Sequence, residues 1–215
     1  MKKQVLFIAI AIFSFGAMNA QDLRFGAKAG VNFASIGGDN TDDVEGRTGF
    51  HIGGLVEIMF TEKFGIQPEI LYSAQGYSLE DEEDGFTFSD ETNLDYINIP
   101  VMAKYYIVEG LAVEAGPQVG FLVSANQEFE VQGPNDEQFE SGEEDISDFV
   151  SGIDFGLALG ASYRLDMGVF FGARYTLGLS NINEGDVDFG IFGDLDIDVP
   201  ENQNNVFQVS VGYSF

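Results

Sequence analysis

Three observations predict an all-β chain, an eight-stranded antiparallel up-and-down transmembrane β-barrel with four long acidic extracellular loops, preceded by a cleaved signal peptide. Eight segments alternate apolar with small or polar residues. The connections between them are short and long by turns. The last segment carries its alternation to a terminal aromatic residue, through Phe207, Val209, Val211, Tyr213 and Phe215. A strand sends successive side chains to opposite faces, so each segment has one greasy side.

The first element is not a strand. Lys2 and Lys3 precede the apolar run Val5 to Phe15, and Ala17-Met18-Asn19-Ala20 follows. A basic start, a short apolar stretch and small residues make a signal peptide, and the run is too short for a membrane helix. Residues 1–20 are the expected signal peptide and residues 21–215 the barrel domain. The chain contains no cysteine, which excludes a disulfide scaffold, a thiolate metal site and a lipid-bearing cysteine. No later apolar stretch is long enough for a membrane helix, so a membrane-spanning mature chain must close into a barrel. Removing Lys2 and Lys3 leaves seven basic residues against 36 acidic ones, a net charge of −29. Such a polyanion repels nucleic acid.

The eight expected strands are Leu23–Ala34, Gly49–Phe60, Phe64–Tyr77, Leu94–Ile107, Leu111–Ala125, Phe149–Leu165, Gly168–Ile182 and Asn205–Phe215. Each is long enough to cross the hydrocarbon as a tilted strand. Thr61-Glu62-Lys63, Val108-Glu109-Gly110 and Asp166-Met167 have hairpin lengths. Residues 35–48, 78–93, 126–148 and 183–204 are long connections. Outer-membrane barrels have short periplasmic turns and long extracellular loops, and an even strand number returns both termini to the periplasm. The expected location is therefore the outer membrane.

One face of every strand is almost uncharged. The other carries Arg24, Lys28, Glu57, Glu69, Lys104, Glu114, Asp154, Arg164 and Arg174 among many glycines. Eight strands enclose just enough room for side chains to fill the interior. Five cations and four anions inside one barrel satisfy one another, and isolated buried charges do not persist. These nine residues are the expected lumen ion-pair network, which plugs the barrel. Phe60, Phe64, Tyr105, Tyr106, Tyr163, Tyr213 and Phe215 gather at the short-turn end, as an interfacial girdle would. Pro68, Pro100 and Pro117 run against this pattern, because proline cannot donate to a ladder; bulges are the expected accommodation. The rival is a soluble periplasmic or secreted barrel holding an apolar ligand, with the greasy face inward.

Three stretches carry the resemblance to a known family: Phe25 to Asn32 (FGAKAGVN), Gln67 to Tyr72 (QPEILY) and Tyr96 to Tyr106 (YINIPVMAKYY). Together with the glycine-and-aromatic last strand, they resemble the PorT-like outer-membrane β-barrel family of Bacteroidetes over essentially the whole mature chain. The resemblance implies fold and location, prolines at positions 68 and 100, and insertion by a barrel-assembly machine that reads the aromatic-ended last strand.

The loops raise one metal hypothesis. Asp194, Asp196 and Asp198 alternate in the fourth connection, and calcium takes six to eight oxygens from such groups. The segment lacks the glycine and final glutamate of an EF-hand loop. Solvated acidic loops are the plainer expectation, with no cofactor and with Ca²⁺ or Mg²⁺ at the loops as the alternative. His51 is the single histidine and Asp95 its candidate partner, without an identifiable nucleophile. The sequence therefore reads as a monomeric, non-enzymatic outer-membrane protein. It meets lipid and lipopolysaccharide, and an unidentified partner through its acidic loops.

Overall fold

A computed structural model describes residues 22–38, 44–83, 86–133, 137–182 and 202–215. The signal segment 1–20 and the candidate metal ligands Asp194, Asp196 and Asp198 lie outside the described residues.

The described residues form nine strands: β1 (Asp22–Gly38), β2 (Val44–Met59), β3 (Phe64–Glu83), β4 (Phe86–Val108), β5 (Leu111–Gly133), β6 (Glu137–Asp145), β7 (Ile153–Arg164), β8 (Val169–Gly178) and β9 (Asn202–Ser214). Eight of them close a ring of antiparallel neighbours, in which β4 pairs β5, β5 pairs β7 and β9 returns to β1. The seam is finished by Phe25 and Phe215, which exchange backbone hydrogen bonds in both directions (3.2 and 2.8 Å). The short turns hold because their residues fit them. Gly110 sits at φ 81°, a left-handed conformation open to glycine, and a side chain there would strike the Arg164 carbonyl.

The faces are segregated. Phe25, Phe50, Ile70, Leu157 and Leu159 are exposed, while Lys28, Glu57, Glu69, Glu114 and Arg174 are buried. Leu157 exposes 52 % of its surface and Glu69 only 2 %, which rejects a soluble barrel with a greasy interior. The aromatic girdle is real with one correction. Phe60 stacks on Phe64 and Tyr213 on Phe215, but Tyr106 points inward and is buried. A second aromatic belt rings the other end, with Phe33 against Phe207 and Phe50 against Tyr72.

The prolines are not accommodated by bulges. Pro68, Pro100 and Pro117 sit in strands whose register is unchanged on either side of them; the ladder only loses its pairs between Leu55 and Ile58, Pro68 and Leu71, and Pro100 and Ala103. A missing donor costs one rung, and the rungs on both sides keep the alignment.

The first three of the four expected loops are wholly or partly sheet, the first because β1 runs to Gly38 and β2 begins at Val44. β3 and β4 continue as a hairpin to the pair Glu83 and Phe86, and β5 continues to Gly133, where β6 pairs with it. The described acidic residues of the second and third connections, Asp148 apart, therefore stand on an antiparallel extension beyond the barrel. On the face that continues the lipid-facing side, rows run Ser78–Glu91–Glu128–Glu143 and Glu80–Ser89–Glu130–Ser141. On β4 the switch from Ile97 to Asp95, Asn93 and Glu91 along this face marks where the strand leaves hydrocarbon.

Candidate functional site: the barrel interior

The interior is built from alternate residues of all eight ring strands. At its middle, Arg174 of β8 reaches across to two glutamates. Its Nη1 and Nη2 donate to Glu69 of β3 (2.9 and 2.8 Å), and its Nε and Nη2 donate to Glu114 of β5 (3.0 and 2.8 Å). Lys28 Nζ of β1 lies 2.7 Å from Glu69 Oε2. Two cations and two anions thus neutralise one another across the full bore. Guanidinium forks match carboxylates in this bidentate way, and the bonds are stronger than neutral ones.

A second ionic layer lies toward the short-turn end. Glu57 accepts from Arg24 (3.1 Å), from the Tyr106 hydroxyl (2.5 Å) and pairs with Lys104 (3.2 Å). Lys104 Nζ donates to Gln67 Oε1, whose amide donates on to Glu69 (3.0 and 2.7 Å), and this joins the layers. Lys104 also stands 5.6 Å from the centroid of the Tyr106 ring.

Two of the nine expected network members stand apart. Asp154 is the second residue of β7, at the outer end, and takes a hydrogen bond from Ser180 (2.6 Å) rather than a cation. Arg164 is the last residue of β7 and lies level with the short turns, where no described acid comes within ion-pairing distance of it. Both face inward as expected, but strand length places them at opposite ends, beyond reach of the central charges.

Above the ionic layers lies a neutral cluster that sequence reasoning did not find. His51 Nδ1 is 2.7 Å from Asn32 Oδ1 and its Nε2 is 2.8 Å from Ser210 Oγ. The Asn32 amide donates to Ser73 Oγ, Ala74 O and Phe50 O, so its Oδ1 faces the imidazole and fixes the proton on Nδ1. Ser210 then donates to Nε2. This is the hydrogen-bond order of a nucleophilic serine, but His51 and Asn32 are fully buried and Gln208 also donates to Asn32 Oδ1. The geometry is that of a packed core. Asp95, the expected partner of His51, lies on the other face beside Tyr72. The bore is closed above by Leu94, Tyr96, Ala125, Val150 and Ile182.

Among the described residues no group of three acids or histidines is arranged to hold a metal ion. No described helix is long and apolar enough to cross a membrane, and crossing is by strands.

A family model described as outer membrane protein beta-barrel domain matches residues 19–184. The chain belongs to this family. The barrel is accordingly an outer-membrane protein. Solved structures resemble it at low identity. Ail, the attachment invasion locus protein of Yersinia pestis, seen with the heparin analogue sucrose octasulfate, is 11% identical over 90% of this chain and 99% of its own, with a TM-score of 0.47. Neisserial surface protein A is 13% identical over 89% and 97%, with a TM-score of 0.47. The outer membrane protease OmpT of Escherichia coli is 9% identical over 90% and 93%, with a TM-score of 0.37. Curated protein sequences give no match.

Proposed function

We propose that this barrel is a non-enzymatic, non-conducting surface protein, a plugged and rigid base that displays acidic sheet and loops outside the cell. The single observation supporting this is the ion-pair lattice across the bore, from Lys28 and Arg174 through Glu69 to Glu114. A channel needs a continuous aqueous path, and small barrels fill theirs with side chains. The finer readings travel with this proposal: a signal peptide cleaved near Ala20, PorT-like kinship, a monomer, no cofactor, and assembly machinery that reads the terminal strand. The acidic extension meets lipopolysaccharide or a surface partner, with Ca²⁺ or Mg²⁺ as bridging ions.

Planar-bilayer recording tests the base of the proposal. The purified protein is expected to give no steady conductance, and a stable nanosiemens pore would overturn it. Capture of envelope proteins on wild-type barrel against a variant lacking residues 78–93 and 126–145 tests the display role. Equal capture by both would remove the extension from it.

A further inference from the structure

The short-turn end of the barrel opens into a cavity of about 600 Å³, whose wall shares Arg24 and Tyr106 with the ion-pair lattice. Arg24, Met59, Tyr106 and Arg164 form its walls, with Lys63 and the Glu62 and Glu109 turns at its rim. We propose that this periplasmic mouth is a binding site for one oxyanion, a carboxylate or phosphate group at the end of an otherwise uncharged or cationic molecule.

The lining carries three cations, Arg24, Lys63 and Arg164, against two carboxylates, Glu62 and Glu109. Glu57 is buried outside this lining, and both its oxygens are already engaged, Oε2 by Arg24 and Oε1 by Lys104 and the Tyr106 hydroxyl. Arg164 is half-buried on the same wall, and no described carboxylate lies within 4.0 Å of it, the ion-pair limit. A cation partly withdrawn from water is costly unless an anion joins it, and a guanidinium offers a fork that fits carboxylate and phosphate oxygens. The chain elsewhere is strongly acidic, so this concentration of cations in a recess is a local reversal of its field. The rim sets the selectivity. Glu62 and Glu109 repel a polyanion such as nucleic acid, and leave room for a ligand with a single anionic head.

The test is nuclear magnetic resonance of the mature, refolded chain in zwitterionic detergent, following the Arg164 Nε–H and the Gly110 amide. One arm adds inorganic phosphate and the other the dipeptide alanyl-alanine, each against sodium chloride at equal ionic strength. A saturable shift in either arm is expected, with Arg164→Gln weakening it at least tenfold, Arg164→Lys retaining part of it, and Arg47→Gln at the extracellular end leaving it unchanged. The responding arm identifies phosphate or carboxylate as the head group. Shifts that rise linearly like the chloride control, or that persist undiminished in Arg164→Gln, overturn the site. Heat-modifiable gel mobility verifies that each variant is folded, and if Arg164→Gln does not fold, Lys63→Gln takes its place with a smaller expected loss, about threefold.

Discussion

Replacing Glu69 by glutamine isolates the charge of the central carboxylate while keeping its shape. Glu69 takes a contact from Lys28 (2.7 Å), two from Arg174 (2.9 and 2.8 Å) and one from Gln67 (2.7 Å), and is 2 % exposed. In the variant an amide NH₂ must face one of these donors, and the cluster of Lys28, Arg174 and Glu114 gains an uncompensated positive charge. Breaking a buried pair by removing one partner costs about 3–5 kcal/mol. With a urea slope of about 2 kcal/mol per molar, the unfolding midpoint falls by about 2 M. The chain has no tryptophan, so the transition is followed by circular dichroism or by the folded and unfolded gel bands. The control is Glu91→Gln, which removes the exposed pair with Arg47 at the end opposite the short turns and costs less than about 1 kcal/mol. Equal midpoints for Glu69→Gln and Glu91→Gln would refute the idea that the lattice holds the barrel together.

Gly30→Ala places a methyl group 2.0 Å from the Val209 carbonyl and 2.6 Å from His51, so a cost of about 2 kcal/mol or more is expected, whereas Gly54→Ala meets only the Gly26 carbonyl at 3.8 Å and should be near neutral in the same urea titration. Leu157→Arg puts a charge on the lipid face, and folding into vesicles should lose about 2–4 kcal/mol; an unchanged midpoint would mean that Leu157 does not face hydrocarbon. Tyr106→Phe deprives Glu57 of its hydroxyl donor and should cost about 1–3 kcal/mol without altering insertion, read from the midpoint and the vesicle-bound fraction.

The two-residue period was enough to place eight ring strands and to separate their faces, because lipid and lumen impose opposite chemistry on neighbouring residues. The pattern alone put Glu69 and Arg174 on one face; the balance of five cations with four anions, the glycines that make room for them and the aromatic girdle assigned that face inward. What they touch could not. The partners of Arg174 lie 105 and 60 positions away, and their meeting depends on the stagger with which the ring closes. The same reason hid the contact between His51 and Ser210, which are 159 positions apart. Arg164 and Asp154 lie at opposite ends of β7, and alternation fixes the side of a strand but says little about height along the bore.

The extension was misread for a different reason. Its acids, serines and glycines have the composition of a solvated loop, and composition outweighed a weaker signal beneath it. Phe86 and Phe88 alternate on β4, and Phe129 and Val131 on β5, in phase with the inward-facing residues of the barrel below. Both faces of the extension meet water, so neither is selected to be wholly apolar, and the period fades without disappearing.

The charge distribution gives this architecture a direction. Of the seven basic residues after position 20, Arg24, Lys28, Lys104, Arg164 and Arg174 face the bore, Lys63 lies in a short turn, and Arg47 alone is at the outer end, tied to Glu91. The acids are distributed in the opposite sense. Those inside are few enough to be consumed by the interior cations, and most of the other described acids stand on strands that have already left the hydrocarbon, with Asp95 and Glu91 of β4 among the first, or in the short turns, as Glu62 and Glu109 do. A net charge of −27 is therefore compatible with a membrane protein because almost none of it is in the membrane. Placing the excess on a paired sheet holds the carboxylates at fixed spacing, so their repulsion is resisted by backbone hydrogen bonds instead of being relaxed by a collapsing loop. The ladder of β3 to β6 and the ion-pair lattice thus solve complementary problems, one keeping like charges apart in water and the other keeping unlike charges together out of it.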